Sequence, residues 1–210
     1  MSDILRQVDE DLRKDKLLRI WRSYRIFIVG FILVIIVSLA GYQYYLSNEE
    51  SKNEAVVEKY VNALNENNTS KSINQLIELD ESSNAFIKGL AKLKRAELHF
   101  INGEEEIALG LFEVTANDRS LNRIIRDLAQ YKLLMVQLDT IDKETYLKII
   151  DQQNINENKF YHHLQELKAI KLLLEGDRND SLRIFELILS SDESPIDIKT
   201  RSEKFIKILK

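Results

Sequence analysis

Between Arg25 and Glu49 the chain carries no Asp, Glu, Lys or Arg, although 30% of all its residues are charged. Ile26 to Leu46 is a run of 21 residues dominated by Ile, Val, Phe and Leu. As a helix it would be about 30 Å long, the thickness of a bilayer's hydrocarbon core. Trp21 and Tyr24 flank it on one side and Tyr42, Tyr44 and Tyr45 on the other, where interfacial aromatic belts form. The run therefore predicts a single transmembrane helix over 26–46, acting as a signal anchor. A cleaved signal peptide, cut after Ala40 in "SLAGYQ", is the competing reading. Against it stand the long charged segment ahead of the run and the apolar residues that continue past Ala40.

The flanking charges set the expected orientation. Arg13, Lys14, Lys16, Arg19, Arg22 and Arg25 precede the run, whereas Lys52 is the only base between it and Lys59. Positive-inside counting places residues 1–25 in the cytoplasm and 47–210 outside it. The segment "SDILRQVDEDLRKDKLLRIWRSY" has helical spacing of its own. It reads either as a charged helix on the membrane surface or as a docking segment for a partner. Residues 1–25 hold seven Lys/Arg against five Asp/Glu; residues 49–210 hold 23 against 29. An acidic main domain argues against nucleic-acid binding by phosphate neutralisation.

The composition of the main domain predicts an all-α fold. There are six glycines and one proline in 210 residues, with abundant Leu, Ile, Lys and Glu. Ser47 with Glu50 and Ser51 with Glu54 have capping-box spacing, so a helix starts there or the membrane helix runs on to about Leu64. "NENNTSKS" reads as a turn. Beyond it "LAKLKRAELHFINGEEEIALGLFEVTAND" and "LQELKAIKLLLEGDRNDSLRIFELILSSD" align at an offset of 73, pairing Ala96 with Ala169, Gly103 with Gly176 and Phe112 with Phe185. Each copy is helix, glycine turn, helix. The glycines fall where a helix end takes a left-handed residue, and the alanines where two helices approach closely. Between the copies, Leu121, Ile124, Ile125, Leu128, Ala129 and Val136 follow helical periodicity, and "DTIDKE" is a turn without glycine. Ala129 lies 33 residues after Ala96 and 40 before Ala169, and spacings near 34 point to tetratricopeptide-like hairpins, although the Trp…Gly…Tyr consensus is missing. The sole proline, Pro195, follows Ser194 and predicts a last helix with Ser194 as N-cap and Pro195 at N1, capping the solenoid.

Catalytic chemistry is not legible. The chain has no cysteine, so disulfides, thiolate catalysis, Cys-type zinc sites and iron–sulfur clusters are excluded. His99, His162 and His163 lack chelating spacing, and no phosphate loop, HExxH or GxSxG occurs. Acids in "NGEEE" suit the start of a helix better than a cation site. We therefore expect no catalytic, cofactor-binding or metal-binding residues, no cofactor and no enzyme activity.

The segment "VDEDLRKDKLLRIWRSYRIFIVG" running into the uncharged stretch, the units "FINGEEEIALGLFE" and "LLEGDRNDSLRIFE", and the closing "SSDESPIDIKTRSEKF" together resemble the ancillary SecYEG translocon subunit family (YfgM-like). These are single-span proteins of Gram-negative bacteria with a periplasmic tetratricopeptide-like domain. The resemblance implies association with the SecYEG translocon and with periplasmic chaperones or client polypeptides, and it supplies no catalytic residues. A cell-envelope or cell-division scaffold with the same kind of binding domain is the alternative reading. Groove residues, client identity and oligomeric state are not given by the sequence.

Overall fold

The computed structural model describes residues 51–82 and 84–210, together with isolated residues back to Ile35. The predicted segment 1–25 and most of the predicted span 26–46 lie outside the described residues. Among the described residues no helix is long and apolar enough to cross a membrane. The chain divides into two compact units, 1–54 and 55–210.

Residues 51–65 are helical, as are the isolated described residues before them. Ser47 and Ser51 are themselves helical, so neither capping-box spacing starts a helix. The reading in which the membrane helix runs on to about Leu64 rests on residues that lie partly outside the described ones. The part of this helix in the second unit, 55–65, is α1. It is followed by α2 (Thr69–Ile77), a 3₁₀ turn (Glu78–Glu81), α3 (Ala85–Ile101), α4 (Glu105–Asn117) and α5 (Arg123–Val136). Then come α6 (Lys143–Asp151), α7 (Tyr161–Leu174), α8 (Arg178–Ser190) and α9 (Ile196–Leu209). The described residues contain no strand.

Local chemistry explains the helix ends. Asn68, Asn84, Asn122 and Asp142 sit just ahead of α2, α3, α5 and α6, and their side-chain oxygens accept backbone N–H bonds from the first turn. Both predicted left-handed glycines occur, with φ 81° at Gly103 and 88° at Gly176. Each completes a Schellman motif. Gly103 N–H donates to Phe100 O and Glu104 N–H to His99 O; Gly176 N–H donates to Leu173 O and Asp177 N–H to Leu172 O. The expectation for the last helix is off by one residue. Pro195 occupies the N-cap position, and the Ser194 hydroxyl is 2.9 Å from His162 Nδ1 instead of capping α9. At the other end, Arg178 donates from Nε and Nη2 to the carbonyls of Ile208 and Leu209, satisfying the last carbonyls of α9.

Chain neighbours pack closely at α2–α3, α3–α4, α4–α5, α6–α7, α7–α8 and α8–α9, and the odd-numbered helices α3, α5, α7 and α9 also pack side by side in an odd-helix layer. The core runs through the stack as successive clusters. Ala63, Leu76, Leu79, Ile87 and Ala91 bind α1 to α3, and Leu93, Ala96, Ala108, Phe112, Ile125 and Ala129 bind α3 to α5. Leu134, Tyr146, Ile150, Leu164 and Leu167 join α5, α6 and α7; Ala169, Phe185, Ile188, Ile198 and Ile206 join α7 to α9. Burying a phenylalanine such as Phe112 or Phe185 contributes about 1.5–3 kcal/mol. The alanines expected at close approaches, Ala96, Ala129 and Ala169, are fully buried. Ile124 departs from its expected core position: it lies in the first turn of α5 and is exposed.

Buried hydroxyls lock three hairpins. Ser72 Oγ donates to Ala63 O at 2.6 Å, Tyr146 Oη to Leu134 O at 2.9 Å and Ser181 Oγ to Ala169 O at 2.8 Å. Each bond joins an even helix to the carbonyl of its odd partner, where the polar atom would otherwise be left unsatisfied. In α4 the position equivalent to Ser181 is Ala108, which packs without a hydrogen bond.

Candidate interaction surface

Side chains one repeat apart meet along the odd-helix layer. Glu97 on α3 accepts from Lys94 at 3.3 Å and lies 2.7 Å from Lys132 Nζ on α5. Burial pushes its carboxyl up, but Lys132 and Lys94 outweigh that and hold it below the usual carboxylate range. Burial, aided by the Glu97 charge, raises the Tyr60 phenol on α1. Further along, Tyr131 on α5 stacks on Phe160 with ring centroids 5.9 Å apart, and the edge of His163 on α7 meets Tyr131 at 5.3 Å. Glu166, one turn beyond His163, accepts from Arg201 of α9 at 2.6 and 2.7 Å, a two-pronged guanidinium–carboxylate pair. Asp197 accepts a third bond from Arg201 at 3.0 Å. The Glu166 bond leads the influences that raise the guanidinium's basicity.

The adjacent histidines face different neighbours, as expected for consecutive helical residues. His162 meets Ser194 and the edge of Tyr161, whereas His163 enters the aromatic cluster. Burial pushes both imidazoles below their ordinary value, which favours the neutral form at physiological pH. His99 Nδ1 lies 2.5 Å from Glu104 across the α3–α4 turn. Among the described residues no group of His, Asp and Glu is arranged to hold a metal ion.

Two clefts open beside these contacts. A polar one of about 220 Å³ is lined by Ala116, Arg123, Arg126, Asp127, Gln130, Gln153 and Asn158. An apolar one of about 200 Å³ is lined by Ile155, Tyr161, His162, Gln165, Ile184, Leu187, Ile188 and Ser191. Small-molecule sites run from about 300 Å³ upward.

These surface residues were not visible in the sequence as a site. Their one signal is spacing: Glu166 pairs with Arg201 at a separation of 35, and Arg123 with Glu157 and Lys143 with Asp177 at 34. Charges of opposite sign recur at the repeat period because the same helix face returns once per hairpin.

Stacked hairpins with an odd-helix layer of this kind define a helical-repeat protein. Residues 19–189 match the family described as a tetratricopeptide repeat-like domain, and the chain belongs to that family. No curated protein and no solved structure matches the chain. Repeats of this kind are typically binding scaffolds and mediate protein–protein interactions.

Proposed function

We propose that this protein is a membrane-anchored interaction module. Residues 26–46 span the bacterial inner membrane, 1–25 lie in the cytoplasm and the hairpin stack lies in the periplasm. The observation that carries the reading is the extent of the family match. It begins at Arg19, ahead of the uncharged run, and continues through the hairpins, so that run and repeats belong to one family unit. Tethering raises the effective concentration of the repeat surface beside polypeptides leaving the membrane. Together with the resemblance of the N-terminal segment and repeats to the ancillary SecYEG translocon subunits, this favours a role beside the translocon. There the module links the translocon to periplasmic chaperones or emerging clients.

The test is gentle detergent extraction of the tagged full-length chain, followed by mass spectrometry of its companions. SecY-type subunits in stoichiometric amounts are the expected result. Their absence, with division or envelope-assembly proteins in their place, would move the function to an envelope scaffold.

A further inference from the structure

The outward side of α4 is unlike that of its repeat equivalent. Ile107, Gly110 and Val114 form one exposed column at i, i+3, i+7, with Ile107 50% and Val114 60% accessible. Glu106 and Glu113 form a parallel exposed column beside it, and α4 contains no Lys or Arg. Isolated exposed aliphatics are ordinary. The glycine is not. Gly110 has no left-handed φ, and a Cβ built on it would meet nothing within 4 Å. Glycine inside a helix destabilises it relative to alanine, and no contact within the described residues requires it here.

The second long hairpin shows that the fold does not demand this surface. At the offset of 73, Ile107, Gly110 and Val114 correspond to Asp180, Arg183 and Leu187 on α8. There Arg183 pairs with Asp180 at 3.6 Å, and Glu186, the equivalent of Glu113, pairs with Lys210 at 2.9 Å. The outward side of α8 satisfies its own charges. Glu106 and Glu113 on α4 make no ion pair among the described residues.

We infer that the α4 face formed by Ile107, Gly110 and Val114, edged by Glu106 and Glu113, docks an amphipathic helix of a partner protein that carries Lys/Arg beside an aliphatic column. Gly110 lets the partner's backbone approach closely, Ile107 and Val114 flank the crossing, and the two glutamates receive the basic column. A second copy of this chain fits poorly, because antiparallel α4 helices crossing at Gly110 would bring Glu106 and Glu113 against acids of the same kind. The inference rests on reading the chain as a membrane-anchored interaction module, but not on its translocon assignment.

The test uses the full-length chain in nanodiscs of zwitterionic lipid and a labelled helical peptide about 18 residues long, with Lys beside a Leu column. Fluorescence anisotropy above an empty-nanodisc background reads the binding. Saturable binding is expected, weakened about tenfold by Glu106→Lys with Glu113→Lys and by Gly110→Leu. The charge-reversed variant should regain binding to a peptide with Glu in place of Lys. Asp180→Lys, in the same register on α8, should leave the affinity unchanged. Circular dichroism of each variant should match the parent, since all these positions are exposed. Absence of saturable binding, or binding indifferent to the α4 substitutions, overturns the inference. So does self-association of the chain that Gly110→Leu abolishes, which would make a second copy the occupant. Any of these failures leaves translocon co-purification, and with it the proposed function, standing or falling separately.

Discussion

Replacing Arg201 with alanine should loosen α9 from α7 while the earlier hairpins stay folded. The Glu166 side chain is 6% accessible and takes both prongs of the Arg201 guanidinium, whereas Arg201 itself is 43% accessible. Removing one partner of a buried ion pair costs about 3–5 kcal/mol, because the remaining charge is stranded. The exposed arginine moderates that figure, since its departure admits water to the carboxylate. The expected loss is therefore about 2–3 kcal/mol. Urea unfolding of the full-length chain followed by circular dichroism measures the loss, and amide hydrogen exchange locates it in α8 and α9. The mechanism also fixes the sign of a double-mutant cycle. Glu166→Gln removes the charge that needs Arg201, so the double variant should be less destabilised than the sum of the singles by more than about 1 kcal/mol. A loss under about 0.5 kcal/mol for Arg201→Ala, or strict additivity in the cycle, would refute the argument that a buried carboxylate holds the terminal helix.

Three further outcomes follow from contacts elsewhere in the stack. A Cβ added at Gly89 would lie 2.6 Å from Ile125 Cγ2, so Gly89→Ala should cost about 1–2 kcal/mol in chemical denaturation, net of the better helix propensity. Ile125→Ala should be less harmful in that background than in the parent. Gly176→Ala places a side chain at φ 88° and should destabilise by about 1–2 kcal/mol in the same assay, although the Cβ itself meets open space. Bonds from Ser120 and Lys92 lower the Asp118 pKa to about 2, below its unfolded value, so its stabilising contribution is present above the unfolded pKa and is lost as pH falls towards about 2. Asp118→Asn should therefore destabilise the protein at pH 7, and the gap from the parent should close between about pH 4 and pH 2 in thermal melts.

The legible parts of the fold were those written in neighbouring residues. Helical periodicity, the near absence of breakers and the 73-residue offset specified hairpins, because an amphipathic helix advertises its buried face in its own spacing. Gly103 and Gly176 were readable for the same reason: left-handed backbone selects glycine locally. Ser194 was misread because its hydroxyl had two available partners, the first turn of α9 and His162. Only the packing of α7 against the start of α9 chose between them. Ile124 has the right spacing for the core but is exposed, whereas Ile125 in the same first turn of α5 is buried, because the packing of α3 and α4 against α5 takes Ile125 into the core.

The sequence by itself determined an all-α chain of repeated hairpins, with an uncharged run of membrane length ahead of them. Both rest on composition and short-range pattern. Tertiary structure decided which distant side chains share a surface. Tyr131, His163, Glu166 and Arg201 lie on three different helices, and their grouping depends on α5, α7 and α9 packing side by side. It also decided that Gly110 faces open space while Gly89 meets Ile125. Two glycines in similar helices have opposite meanings, because only the arrangement of neighbouring helices determines what lies above a missing Cβ.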